Sequence, residues 1–312
     1  MTKVFSWVTK ERKIDFMKGR KIGYALSGLA MLMAAYSIVF NGFNYGIDFS
    51  GGILVEIKSE NPINLDAVRE QLSNVEIEDV TLQAIGETGT EVEIRAQAKD
   101  LDEKEQMQAI QRIRSELGTS YEYRKVELVG PQVGDELKRD GILAALFAIL
   151  GISLYVWFRF EWQFAIGTLL GLIHDVFITV GLLSLLNFDF NLTTIAAILT
   201  MAGFSVNDTV VTYDRIRENL KKHKKMKQYD LLNKSINDIF SRTILTGITT
   251  LFASSALFAF GGDTLRSFSF TLVAGIIIGT YSSIYVSAFF LNFFDMKDAF
   301  EEKDVNPFGK KD

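Results

Sequence analysis

Residues 162–186 read WQFAIGTLLGLIHDVFITVGLLSLL, a run without Lys, Arg or Glu whose apolar character is broken by His174 and Asp175 near its middle. A hydrocarbon core of about 30 Å is crossed by roughly 20 apolar residues in a helix rising about 1.5 Å per residue. This stretch is long enough to span a bilayer, and the same reading predicts spans at 22–40, 142–158, 162–186, 190–213, 243–260 and 268–294. The composition agrees: 48% of the 312 residues are hydrophobic and 25 are Phe. Charge collects in the N-terminal tail, in the block 41–140 and in a basic stretch after Asp214, whereas apolar residues fill long uncharged runs, a segregation that a soluble core does not show.

Cysteine is absent and only two His are present, which excludes thiolate or His-rich metal sites, disulfides and a Cys nucleophile. The net charge of -5 is the sum of opposed regions and decides nothing by itself. The first span follows Lys10, Arg12, Lys13, Lys18, Arg20 and Lys21, as a secretory signal would, but it is longer than the roughly 7–15 apolar residues of a signal and ends in Ser37, Ile38, Val39 and Phe40 with no small-residue cleavage site. It reads as an uncleaved anchor.

Basic residues resist translocation, so their distribution predicts orientation. The tail 1–21 is basic, and so is the connection 215–242, with Lys221, Lys222, Lys224, Lys225 and Lys227; the turns 187–189 and 261–267 hold only Arg266 between them. Both termini, the tail 295–312 and the basic loop are therefore predicted on the cytoplasmic side. The lysines could also hold anionic lipid head groups.

Block 41–140 then faces outside, its 21 Asp plus Glu against 11 Lys plus Arg being tolerable because long domains translocate largely regardless of charge. Alternating apolar positions predict strands at 53–58, 80–85, 92–96 and 122–129, and helical periodicity predicts helices at 65–72 and 101–117. The order β-α-β-β-α-β suits a ferredoxin-like split βαβ unit. Asn64 is a predicted N-cap, and Gly118 the residue that ends the second helix. Gly51 and Gly52, just before the first strand, imply a tight turn with positive φ or a close backbone approach; a phosphate-cradling loop is the alternative.

An ionisable residue at bilayer depth costs about 2.5–3.5 kcal/mol on insertion scales and normally faces protein or a water-filled cavity. His174 and Asp175 lie in the third span, Asn207 and Asp208 in the fourth, and Arg242 opens the fifth. Helical spacing groups Thr168, Gly171, Asp175 and Thr179 on one face, Phe204, Ser205, Asp208 and Thr212 on a second, and Arg242, Thr246, Thr249 and Ala253 on a third. Three polar seams that met would put carboxylates and a fixed cation in one low-dielectric space, the minimum machinery of a proton relay. A structural Asp208–Arg242 ion pair is the competing reading, and the His174–Asp175 pair fits a helix contact as well as a functional role.

Several strings coincide with the SecF family: YGIDFSGG at 45–52, VGPQVGDEL at 129–137, HDVFITVG at 174–181, NDTVVTYDRIREN at 207–219 and RTILTGITT at 242–250. They cover nearly the whole chain in order, and the sequence resembles that family closely, with Ser50 where many relatives carry Thr. The resemblance implies a polytopic, RND-type membrane domain of six helices with a small α+β exported domain between the first two, in a bacterial cytoplasmic (inner) membrane. It implies partnership with SecD, the SecYEG channel, the translocating polypeptide and membrane lipids, with no nucleic acid and no cofactor beyond an ion gradient of H⁺ or Na⁺. The family's proton-pathway carboxylate matches Asp208 and its basic residue matches Arg242; His174 and Asp175 match its HD pair, and Gly46, Asp48, Gly51 and Gly52 fall in its glycine motif.

The expected function is that of a transport subunit, not an enzyme, promoting translocation and release of secreted proteins. One elementary charge crossing 100 mV gains about 2.3 kcal/mol, and the sequence holds no Walker A string. A small-molecule exporter of the same broad class is one alternative, though the position between the third and fourth spans, where such pumps carry a second large domain, holds three residues. A purely structural scaffold of the export channel is another. A hydrolase built on His174, Asp175 and Ser205 lacks a nucleophile-turn motif around Ser205.

Overall fold

The computed structural model describes residues 14–73, 80–85, 88–96, 103–262, 265–294 and 296. Most of the two predicted tails, and Leu101 at the head of the second predicted helix of block 41–140, lie outside these residues. In chain order the elements are α1 (Arg20–Phe40), β1 (Asn44–Tyr45), α2 (Ile47–Ser50), β2 (Gly52–Lys58), α3 (Leu65–Leu72), β3 (Val80–Ile85), β4 (Glu91–Ala96), α4 (Glu103–Leu117) and β5 (Glu122–Val129). They continue with α5 (Pro131–Arg159), α6 (Trp162–Leu185), β6 (Asp189–Phe190), α7 (Leu192–Lys222), α8 (Gln228–Phe260) and α9 (Arg266–Ser282), which passes into a π-helical turn, Ser283–Ala288. The chain divides into two compact units, one made of 43–144 with 189–195 and the other of the remaining membrane helices.

Six helices among the described residues, α1 and α5 to α9, are long and apolar enough to cross a membrane, in register with the six predicted spans. More than half of the apolar window of α6, α7 and α9 is buried within the chain, against less than a fifth for α1, α5 and α8. The three inner helices are those that carry Asp175, Asp208 and the Ser282–Ser283 doublet. Their packing relies on absent side chains: a Cβ at Gly181 of α6 would overlap Ala34 of α1, and one at Gly171 would overlap Ser287 Oγ. At Gly167, four residues before Gly171 as in a GxxxG pair, a Cβ would overlap the Tyr213 hydroxyl. Below them Phe160, Phe164 and Tyr213 stack edge-on in a core shared with Ile216, Leu231 and Phe289.

Several boundaries differ from the sequence reading, among them the second span, whose helix begins at Pro131 and not at 142. The fourth span starts at Leu192 because Asp189 and Phe190 form a strand. The basic connection 215–242 is mostly helix: Asp214, Arg215, Arg217 and Glu218 read as a solvated helical extension of the fourth span, and α7 runs on to Lys222, with α8 beginning at Gln228. Charged i,i+3 and i,i+4 pairs such as Arg215–Glu218 and Lys222–Glu218 extend the helix past its apolar segment.

In the other unit, β2 to β5 form an antiparallel sheet in the order β3-β4-β2-β5, the ferredoxin-like arrangement. Period-2 alternation puts Ile53, Val55, Ile57, Val92 and Ile94 on one face, where they pack against Val68 and Leu72 of α3 and Ile110, Ile113 and Leu117 of α4. Asn64 caps α3 as expected, its Oδ1 accepting from the Asp66 and Ala67 amides, and Gly118 ends α4 with φ +67°. A bulge between Glu56 and Ile57 shifts the β2–β5 register.

Candidate functional site

Asp175 sits near the middle of α6, is fully buried, and is surrounded by hydroxyl donors from two other helices. Ser205 Oγ of α7 donates to its Oδ2 at 2.5 Å and Ser282 Oγ of α9 donates to the same atom at 2.7 Å. His174 Nδ1 lies 2.9 Å from Oδ1, which assigns the ring proton to Nδ1 when the carboxylate is ionised. His174 Nε2 is buried without a hydrogen-bond partner among the described residues, and its ring stacks on Tyr281.

Asp208, midway along α7, repeats the pattern one helical step away. Thr243 Oγ1 of α8 donates to Oδ1 at 2.7 Å, and Ser283 Oγ donates to Oδ2 at 2.6 Å. Both carboxylates thus accept from neutral hydroxyls, Asp175 having the His174 ring as well, and neither pairs with a Lys or Arg among the described residues. A hydroxyl stabilises a carboxylate yet can equally accept from a carboxylic acid, so either protonation state keeps a partner. A guanidinium would not allow this, having no acceptor.

The predicted meeting of three seams is realised with two changes. The buried face of α8 is Thr243, Gly247 and Ser254, one residue on from the predicted face. Arg242, Thr246, Thr249 and Ala253 are exposed, and Thr246 and Thr249 bond backward to their own helix. The reason is packing: Gly247 lets Thr280 of α9 approach, a Cβ there being 3.3 Å from Thr280 Oγ1. Arg242 makes no ion pair with Asp208 among the described residues, though its charge reaches that carboxylate through space. Asn207 is likewise exposed, beside Asp208 but on the outer face of α7.

Sequence reasoning missed Ser282, Ser283 and Thr243. A signal existed, since TYSSIYVSA at 280–288 is an unusually polar string inside an apolar span. Ser205 does touch Asp175, but the order of contacts is Ser–Asp–His, without the His-to-Ser hydrogen bond that a hydrolase triad uses to deprotonate its nucleophile.

The glycine motif works elsewhere, within the sheet unit. Gly51 (φ +68°) and Gly52 (φ +131°) turn the chain from α2 into β2, conformations that an L side chain rarely adopts. The Gly46 amide donates to Phe190 O at 3.0 Å, and a Cβ at Gly46 would lie 2.9 Å from that of Asn191. Asp48 Oδ2 accepts from the Leu192 amide at 3.1 Å and Asn191 Oδ1 from that of Thr194 at 2.9 Å, so the start of α7 is already capped by a carboxylate. Alongside, β1 pairs in parallel with β6, and Arg95 of β4 donates to Asp189 at 2.5 Å while also pairing with Glu93. Burial raises the Glu93 carboxyl above its ordinary range, against the opposing effect of Arg95.

Residues 109–297 match the family described as protein export membrane protein SecD/SecF, C-terminal, and residues 36–63 match the SecD/SecF GG motif. The protein translocase subunit SecF of Rickettsia rickettsii is 45% identical over 284 residues, which cover 90% of this chain and 91% of that one. That of Rickettsia prowazekii is 44% identical over 292 residues, covering 92% and 93%. Among solved structures, a SecDF from Thermus, titled a translocon-associated membrane protein, gives a TM-score of 0.81 at 34% identity. SecDF in a super-membrane-facing form gives 0.67, also at 34%. The matches cover 91% and 95% of this chain but 39% and 40% of the SecDF chains, so this chain corresponds to about two-fifths of their length.

Proposed function

This chain belongs to the SecD/SecF family as a SecF-type subunit of the protein-export machinery, and from that premise we propose that it couples the transmembrane ion gradient to the movement and release of secreted polypeptides. The observation that carries the reading is Asp208: an ionisable side chain midway along a membrane helix, held by Thr243 and Ser283 from two further helices. A carboxylate in such surroundings is retained against a cost of about 2.5 kcal/mol or more, and its neutral donors suit a group that changes charge state.

The wider reading has SecD as the second half of the complex, with the SecYEG channel supplying the emerging chain. The Thermus SecDF likeness supports the first of these, since the match spans 39% of a longer chain. In that assembly Arg242 and Asn207, exposed on the outer faces of α8 and α7, would meet the partner subunit's polar groups at the level of Asp208. The sheet unit, between the first two spans, would face the exported side of a bacterial inner membrane, with both termini cytoplasmic, as the basic residues after Asp214 and before Ile22 favour. Whether the ion is H⁺ or Na⁺ changes the ligand that reaches Asp208, not its place.

The test is export by the complete complex in vesicles with and without an imposed gradient. Asp208→Asn is expected to remove the gradient-dependent stimulation while leaving assembly with the partner intact. Stimulation equal to that of the unmodified chain would take Asp208 out of the mechanism.

A further inference from the structure

Ser282 and Ser283 are adjacent in sequence, yet their hydroxyls serve carboxylates on different helices: Ser282 donates to Asp175 of α6, Ser283 to Asp208 of α7. Neighbouring residues of a helix point about 100° apart, which is why one peptide unit can reach two helices. Each hydroxyl has a second acceptor within its own helix. Ser282 Oγ lies 3.2 Å from Gly279 O, and Ser283 Oγ lies 3.0 Å from Thr280 O. The doublet therefore has two hydrogen-bonded arrangements available, outward to the carboxylates or back to the helix. It also sits where α9 becomes a π-helical turn, a widened form that is often found at functional sites.

We propose that the Ser282–Ser283 doublet couples the charge states of Asp208 and Asp175, making them a single responsive pair with Asp175 as its inner member. The proposal rests on the reading that Asp208 exchanges an ion. When a proton joins the Asp208 carboxylate, the new O–H becomes a donor, and Ser283 accepts from it or turns back to Thr280 O. No other covalent bond changes. Ser282 is the preceding residue of the same helix, so a shift of α9 that follows the changed Ser283–Asp208 contact also changes what Asp175 receives.

Among the described residues, the groups facing the pair are few. His174 of α6 bonds Asp175, Tyr281 of α9 stacks on His174, and Arg242 of α8 acts on Asp208 through space. Ser205 of α7 completes the Asp175 shell. The buried, unpartnered Nε2 of His174 is consistent with an inner member that changes its hydrogen bonding, because a purely structural contact at such a depth normally leaves no polar atom unmet.

Infrared difference spectroscopy on the full chain, reconstituted in lipid with its partner subunit, tests this. The carboxyl bands are assigned with Asp175→Asn and Asp208→Asn. In the unmodified background, Asp208→Asn is expected to displace the Asp175 band. In Ser283→Ala the same substitution is expected to leave it in place, and Ser283→Thr is expected to restore the displacement. The proposal is overturned by an equal displacement with and without the Ser283 hydroxyl, by no displacement in the unmodified background, or by a loss that Thr does not rescue. The spectra do not depend on export: retained gradient stimulation in Asp208→Asn would refute ion coupling alone, whereas uncoupled bands would refute the doublet's role alone.

Discussion

Asp175 and Asp208 differ from surface carboxylates in being held by hydroxyls. In a bilayer each such interhelical hydrogen bond contributes about 0.6 kcal/mol on average and rarely more than about 1.7. Ser205→Ala or Ser282→Ala should therefore lower stability by about 1 kcal/mol and leave a folded chain, measured by graded SDS unfolding in mixed micelles. Asp175→Leu removes the acceptor for Ser205, Ser282 and His174 together and adds bulk to a closed site. Its expected cost is about 3 kcal/mol or more. A Leu variant as stable as the Ala variants would show that the polar shell contributes nothing. Both carboxylates were legible in the sequence, because charge in an apolar run is conspicuous. Their donors were not, since Ser and Thr enter membrane helices at low cost and often bond back to their own backbone, as Thr246 and Thr249 do.

The six membrane helices were legible as elements, because about 20 uncharged residues leave a chain few alternatives. Which side of each helix faces inward was harder to read. On α8 the polar stripe beginning at Arg242 has the right spacing, but the bundle takes the stripe beginning at Thr243, because the small residue that permits close approach is Gly247. Small residues therefore orient helices more reliably than polar ones. Gly181→Val should push α1 from α6 at Ala34, and Gly171→Val should collide with Ser287 Oγ, each costing about 1–3 kcal/mol. Gly28→Ala and Gly151→Ala, where nothing lies within 4 Å, should be silent by the same unfolding assay. Equal losses at all four positions would mean that the close contacts at Gly171 and Gly181 do not set the response.

At the scale of the molecule, the sheet unit was readable down to its caps because period 2 and period 3.6 alternate cleanly there. The β1–β6 pairing was not, as it joins residues far apart in sequence. Removing its clamp with Arg95→Ala should cost about 1.5–3 kcal/mol, since Asp189 and Glu93 would lose a charged donor. Glu56 and Glu93 face each other across β2 and β4, and burial raises both carboxyls, opposed by Lys125 and Arg95 respectively. The folded unit then holds these protons more firmly than the unfolded chain does. Their contribution is complete below the unfolded value and is lost as pH rises through the folded one. Amide protection in β2 and β4, corrected for intrinsic exchange, should fall as pH rises above the ordinary carboxylate range, and Glu93→Gln should flatten that dependence. The central claim, that charge inside the bundle moves with the gradient, is tested most directly by ion flux. Vesicles containing the complete complex should dissipate an imposed H⁺ or Na⁺ gradient faster than empty ones, and Asp208→Asn should return the rate to that of empty vesicles; an undiminished flux in the Asn variant would contradict the account.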